Sequence, residues 1–137
     1  MRDAAPETIY LSDYTPYPWT VESVELLFTL DPNATRVHST VRFVPNPDFV
    51  QNVDEPVQPM FLHGEKLKLI SAKIDGTEVS PTLTEEGLTV AVPNGPFTWD
   101  SEVEIDPANN TALEGLYMSN GMYCTQCEAE GFRKITY

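Results

Sequence analysis

The chain has 137 residues, the length of one ordinary domain and too short for two well-packed cores. Eight Lys and Arg residues against 21 Asp and Glu residues give a net charge of −13. A nucleic acid or an anionic membrane surface needs clustered basic residues, so this balance argues against both partners. No apolar run reaches the roughly 18 residues of a membrane span. The first seven residues lack the apolar segment of a secretory signal. These features predict a cytoplasmic protein.

The first half of the chain predicts strands and turns. Apolar and polar residues alternate over 24–30 and 36–43, with a turn cluster at 31–34, which is typical of an antiparallel hairpin. In the first strand, Val24, Leu26, Phe28 and Leu30 are expected to face the core. Four prolines make 45–59 a loop rather than a central strand, and an extended stretch follows at 60–62.

The second half continues the same pattern. Between 66 and 75 the apolar phase changes, which indicates a bulge or a strand buried on both faces. Asp75-Gly76 is a strong hairpin signal, because a type I′ turn needs positive φ at both central residues. A turn at Glu86-Gly87 and alternation over 88–92 and 97–105 predict the remaining strands. From Asn109 onward the chain is polar and is expected to be a loop.

Together these elements predict an all-β fold: an antiparallel β-sandwich or saddle-like curved sheet with few or no helices. Residues 1–137 are expected to form a single β-domain, with 109–137 as its C-terminal loop. Trp19 and Trp99 are expected to be core anchors rather than platforms for a ligand.

Cys124 and Cys127 form a CxxC motif. A structural zinc site needs four ligands, and this chain could add only His38 and His63 from distant segments. A redox pair belongs at a helix N-terminus in a βαβ unit, which the pattern does not contain. The favoured interpretation is two reduced, partly buried thiols, although a thiol-redox or metal module stays open as an alternative.

Glu128 and Glu130 flank Ala129. In an extended backbone their carboxylates point the same way, about 7 Å apart, so they could bind a cation or an amine. On a chain this acidic, a solvated pair without a role is the stronger alternative from residue type alone. The residues by themselves therefore indicate an acidic β-domain without an assigned activity.

Two C-terminal runs carry a resemblance to a known family. NTALEGLY at 110–117 and YCTQCEAEGFRKITY at 123–137 closely resemble bacterial aminopeptidase N, a family of zinc-dependent aminopeptidases of the gluzincin class. HGEKLKL at 63–69 is similar less specifically, and the resemblance covers about 14–137.

The resemblance implies an N-terminal saddle-shaped β-domain followed by a separate catalytic domain with an H-E-x-x-H zinc motif, which this sequence lacks. The segment should then hold no catalytic and no metal-binding residue, and the zinc should belong to the parent enzyme. By position in the motif, Glu128 would bind the free α-amino group of the peptide substrate, and Gln126 would line the pocket for its first side chain. The implied partners are the peptide N-terminus and the enzyme's own catalytic domain.

The alternative is a self-standing β-sandwich interaction module without catalysis. A domain cut from its neighbour should leave 124–137 as an exposed, poorly anchored edge that favours self-association through 113–137. A complete module should instead pack Phe132 and Ile135 into its own core.

Overall fold

The computed structural model describes residues 6–137, so the first five residues of the predicted domain lie outside it. Short 3-10 helices cover Leu11–Asp13, Pro107–Asn109 and Gly131–Lys134. No helix in the described range is long and apolar enough to cross a membrane. The strands are, in chain order, β1 Trp19–Thr29, β2 Thr35–Pro45, β3 Met60–His63, β4 Lys68–Ile74, β5 Thr77–Glu78, β6 Thr82–Leu83, β7 Gly87–Val90, β8 Phe97–Ile105, β9 Gly115–Ser119 and β10 Met122–Gln126.

The strands form three antiparallel sheets. The largest has five strands in the order β1-β2-β8-β4-β5. A three-stranded sheet has the order β3-β7-β6, and β9 pairs with β10 as a separate hairpin. Every strand pair is antiparallel. The predicted all-β antiparallel fold is therefore confirmed.

The core lies on the inner face of the five-stranded sheet and has two parts. One part packs that sheet against the three-stranded sheet, with Met60 and Leu88 opposite Phe97 and Trp99. Trp99 is fully buried and Trp19 is 8% exposed, which confirms both as core residues. The Trp19 ring meets Phe97 edge-on, with ring centroids 4.9 Å apart.

The second part of the core packs the same sheet against the C-terminal hairpin. Val37 and Val103, both fully buried, contact Leu116 of β9 and Ile135 beyond the hairpin. Tyr137 packs against both parts of the core, and burial raises the pKa of its hydroxyl. The C-terminal residues are thus part of the core.

Local sequence signals are confirmed where a turn or bulge depends on its own residues. Asp75 and Gly76 have φ values of 49° and 80°, as a type I′ turn requires, and the turn joins β4 to β5. The phase change in β4 is a bulge, with a register shift between Leu69 and Ser71 opposite β8.

The predicted burial of the first strand is wrong. Val24 and Leu30 are 50% and 52% exposed, Phe28 is 36% exposed, and only Leu26 is half-buried against the core. Val24 lies opposite Val41 and Phe28 opposite Val37, so both face the core side of the sheet. They are exposed because β1 is the edge strand, and the second layer does not reach far enough sideways to cover it.

The predicted C-terminal loop is also wrong in part, because 115–126 form the β9–β10 hairpin. Asn120 and Gly121 have φ values of 55° and 79° at its turn, the conformation of a type I′ hairpin. The end of the chain is anchored as well: Ile135 is 3% exposed, although Phe132 is 45% exposed. The expectation of a poorly anchored edge over 124–137 therefore fails at Ile135.

Candidate functional site

The candidate site is the loop 127–130, which leaves the hairpin where β10 ends. Gln126 is the last residue of β10 and pairs with Gly115, the first residue of β9. The chain returns at Gly131, whose N–H donates a hydrogen bond to the carbonyl of Cys127, four residues earlier, over 2.9 Å. The loop is therefore a short excursion whose two ends are held against the same strand pair.

Two glycines make this close return possible. A Cβ on Gly131 would lie 2.3 Å from the carbonyl oxygen of Gln126, which is backbone and has little freedom to move. Gly115 has a φ of 74°, and a Cβ there would meet the Cβ of Lys134 at 2.8 Å. Because any side chain at either position would push the segments apart, the sequence fixes the base of the loop sterically.

Glu128, the predicted amine-binding residue, lies exposed in this loop. Within 6–137 no Lys, Arg or His nitrogen lies within ion-pair distance of its carboxylate. The peptide bond that follows it is cis. Gln126, the other predicted site residue, is also exposed, and its Nε2 donates to the carbonyl oxygen of Glu128 over 3.4 Å. The structure thus brings both predicted residues together, Gln126 at the end of β10 and Glu128 in the loop that follows.

The other carboxylates around the loop have basic partners. Glu130 Oε2 lies 2.9 Å from Arg133 Nη2, and Glu114 Oε2 lies 3.2 Å from Lys134 Nζ. Glu65, from the β3–β4 connection, lies 3.4 Å from Arg133 Nε and 3.7 Å from Lys134 Nζ. Arg133 and Lys134 thus pair with these three carboxylates. Among the acidic residues of 109–137, Glu128 is the one without a basic partner in the described structure.

Sequence reasoning missed this ion-pair cluster of Glu65, Glu114, Glu130, Arg133 and Lys134. The adjacent basic residues Arg133 and Lys134 could have indicated the cluster, because the chain has only eight Lys and Arg residues. Glu65 could not be found in this way, because it is distant in sequence. The cluster also borders an open groove of about 800 Å³, whose lining includes Glu65 and Arg133.

The described residues do not form a zinc site. No group of three or more His, Cys, Asp and Glu side chains that could hold a metal ion occurs within 6–137. Cys124 is half-buried in β10, Cys127 is exposed just beyond it, and both thiols are free. His38 lies in the middle of β2 and His63 ends β3, so the histidines do not complete a ligand set with the cysteines.

No protein-family model matches the chain. Aminopeptidase N of Caulobacter vibrioides is 44% identical over all of the chain and 15% of its own length. Aminopeptidase N of Escherichia coli is 40% identical over 96% of the chain and 14% of its own length. The resemblance to aminopeptidase N is confirmed. The chain spans about 15% of the length of these relatives.

Solved structures agree with this. The crystal structure of Legionella pneumophila aminopeptidase A in complex with aspartic acid matches 93% of the chain with a TM-score of 0.78 and 28% identity, over 15% of its own chain. Leukotriene A4 hydrolase from Saccharomyces cerevisiae matches 94% of the chain and 23% of its own, with a TM-score of 0.64 and 13% identity. The second likeness shows the fold alone. The segment corresponds to one β-domain of larger aminopeptidase N-type chains.

Proposed function

We propose that this segment is the N-terminal β-domain of a zinc aminopeptidase and supplies the loop that recognises the substrate's free α-amino group. The observation that carries the proposal is the carboxylate of Glu128. It is exposed on a loop with a closely packed base, and it lacks a basic partner within the described structure, whereas Glu114 and Glu130 beside it each have one. A net charge of −13 adds a favourable field for a cationic peptide N-terminus.

An ammonium–carboxylate pair explains how such a loop distinguishes a chain end from an internal peptide bond. When the rest of the enzyme covers the loop, Glu128 loses water and needs the substrate's ammonium in its place. An internal peptide bond offers no ammonium, so it would leave a buried, unpaired carboxylate at a cost of several kcal/mol. Gln126 lies beside it at the end of β10, and we propose that it contacts the first side chain of the peptide.

We assign this segment a part in substrate binding and leave the zinc to the rest of the enzyme, because the described residues hold no ligand set for it. In the open loop a single exposed ion pair contributes about 0–1 kcal/mol, while even millimolar affinity requires about 4 kcal/mol. The 137-residue chain by itself should therefore neither hydrolyse alanyl-p-nitroanilide nor retain a peptide. The proposal requires the enzyme's own catalytic domain as a partner.

The test is Glu128→Gln in the full-length protein, which keeps the size of the side chain and removes its charge. Loss of a desolvated charge partner costs roughly 2–5 kcal/mol, so kcat/KM for alanyl-p-nitroanilide should fall at least about thirtyfold. Glu78→Gln is the matched control, because Glu78 is an exposed carboxylate of β5 with no ion pair in the described structure. Zinc content should not change in either variant. Unchanged kinetics in Glu128→Gln would refute the proposed role.

A self-standing interaction module is the second candidate, and the buried side chain of Ile135 favours it. The exposed side chain of Phe132 favours the aminopeptidase domain. Residues 132–135 therefore do not distinguish the two candidate functions. The full-length gene does, because the proposed function requires that it encode an H-E-x-x-H motif. Absence of that motif would favour the interaction module.

A further inference from the structure

We infer that Arg133 is a positioning residue for Glu128: its guanidinium ties the recognition loop to the β3–β4 connection. This inference rests on the function proposed above, since it concerns how the same loop is held. Arg133 does not touch the amine. It acts through Glu130, which lies two residues beyond Glu128 in the same loop.

Arg133 joins two segments that are far apart in sequence. Its Nη2 lies 2.9 Å from Glu130 Oε2 in the loop, and its Nε lies 3.4 Å from Glu65 Oε2, without the alignment of a hydrogen bond. The backbone repeats this connection, because Glu65 N–H donates to the carbonyl of Arg133 over 2.9 Å. The arginine is thus fixed at its main chain, and its planar fork can hold two carboxylates at once.

The loop has few other restraints near its tip. Gly131 fixes the base, but residues 127–130 are all exposed, and Glu130 retains 70% of its side-chain exposure even in its ion pair. Arg133 is better covered, with 24% of its side chain exposed, and its neighbour Lys134 is 11% exposed between Glu65 and Glu114. A well-covered base therefore holds an exposed acidic side chain, and the loop that bears Glu128 is held with it.

Losing this tether should weaken amine binding more than it slows turnover. Glu128 binds the ammonium equally in the ground state and the transition state, so a less well-placed carboxylate raises KM and leaves kcat almost unchanged. Arg133→Gln removes two ion pairs, which corresponds to a rise in KM of up to about thirtyfold.

The experiment measures kcat, KM and the inhibition constant of a simple amino-acid amide in the full-length protein. The variants are Arg133→Gln, Arg133→Lys, Glu130→Gln and Glu128→Gln. Arg36→Gln is the matched control, because Arg36 also bridges two carboxylates, Glu102 at 3.7 Å and Glu104 at 3.0 Å, but does so between β2 and its sheet neighbour β8. Arg36→Gln should change thermal stability without changing KM.

The inference expects KM and the inhibition constant to rise in Arg133→Gln and Glu130→Gln, with kcat within about twofold of wild type and partial recovery in Arg133→Lys. A KM that stays unchanged or falls in Arg133→Gln overturns it. A rise in Arg133→Gln without a rise in Glu130→Gln also overturns it, because Arg133 would then not act through Glu130. If Glu128→Gln itself has no effect, the proposed function fails. If only Glu128→Gln has an effect, the positioning role alone fails.

Discussion

The base of the recognition loop offers a sharp steric test, the substitution Gly131→Ala. The φ of Gly131 is not in the left-handed region, so alanine suits the local backbone and the cost comes from contact alone. The added Cβ would lie 2.3 Å from the carbonyl oxygen of Gln126, roughly 1 Å closer than ordinary van der Waals contact. The oxygen belongs to the main chain and the Cβ is bonded directly to it, so neither can turn away as the end of a flexible side chain could.

The magnitude follows from this geometry. Forcing extra volume into a packed site costs roughly 1–3 kcal/mol, and here the relief must come from moving Gln126 away from Gly131. That movement displaces the end of β10 and the start of the loop, so we expect a lower urea midpoint and a higher KM in the full-length protein. Gly131→Ala should therefore lower stability and weaken substrate binding through the same movement of the backbone.

Gly121→Ala is the matched control in the same hairpin. Gly121 lies at the opposite end, in the β9–β10 turn, with a φ of 79° and no atom within 4 Å of a built Cβ. The free energy of unfolding of Gly121→Ala should fall by about 1–2 kcal/mol, because alanine is strained in a left-handed backbone even without a clash. KM should not change. If Gly131→Ala matches wild type in both midpoint and KM, or if Gly121→Ala raises KM equally, the steric account of the loop base is refuted.

Two further predictions concern titrating groups. The side-chain hydrogen bond from Asn109 is the main cause that lowers the pKa of the Asp106 carboxyl. The stabilisation from this carboxylate is therefore present above its unfolded pKa and is lost as pH falls through its folded pKa. As pH is lowered, the urea midpoint of Asp106→Asn should fall less than that of the wild type. Burial raises the pKa of Tyr17 to about 12, and its hydroxyl donates to the carbonyl of Phe61 over 2.8 Å. Its stabilisation should be complete below about pH 10 and decline as pH rises towards 12, so an ultraviolet titration should lose this late-ionising tyrosine in Tyr17→Phe.

The parts of the fold that the sequence predicted are those decided by neighbouring residues. The β4–β5 turn depends on Asp75 and Gly76 alone, and the bulge in β4 is visible as a change of phase. Burial in β1 was predicted wrongly because alternation reports which side of a strand a residue faces, but not whether another layer covers it. Val24 faces the core side and is still half-exposed, since coverage depends on how far the second layer extends.

The C-terminal hairpin could have been predicted from the sequence. Asn120-Gly121 is a strong hairpin dipeptide, and it lies between two short apolar runs. The polar composition of the segment favours a loop and so masks this signal. Glu128 as a site residue came from the family resemblance, because residue type alone favoured a solvated carboxylate. The contact of Glu65 with Arg133 was beyond sequence reasoning, since it joins positions 68 residues apart.

A missing ion-pair partner alone would not single out Glu128, because 21 acidic residues share eight Lys and Arg residues and most carboxylates must remain unpaired. Its position gives the observation meaning. Two of those basic residues, Arg133 and Lys134, form ion pairs with Glu65, Glu114 and Glu130, so each of these three carboxylates has a basic partner. The loop therefore presents one carboxylate without a basic partner beside carboxylates that each have one, and this single carboxylate can pair with one ammonium. A terminal amine is such a ligand, whereas a divalent metal needs several acidic oxygens around one point.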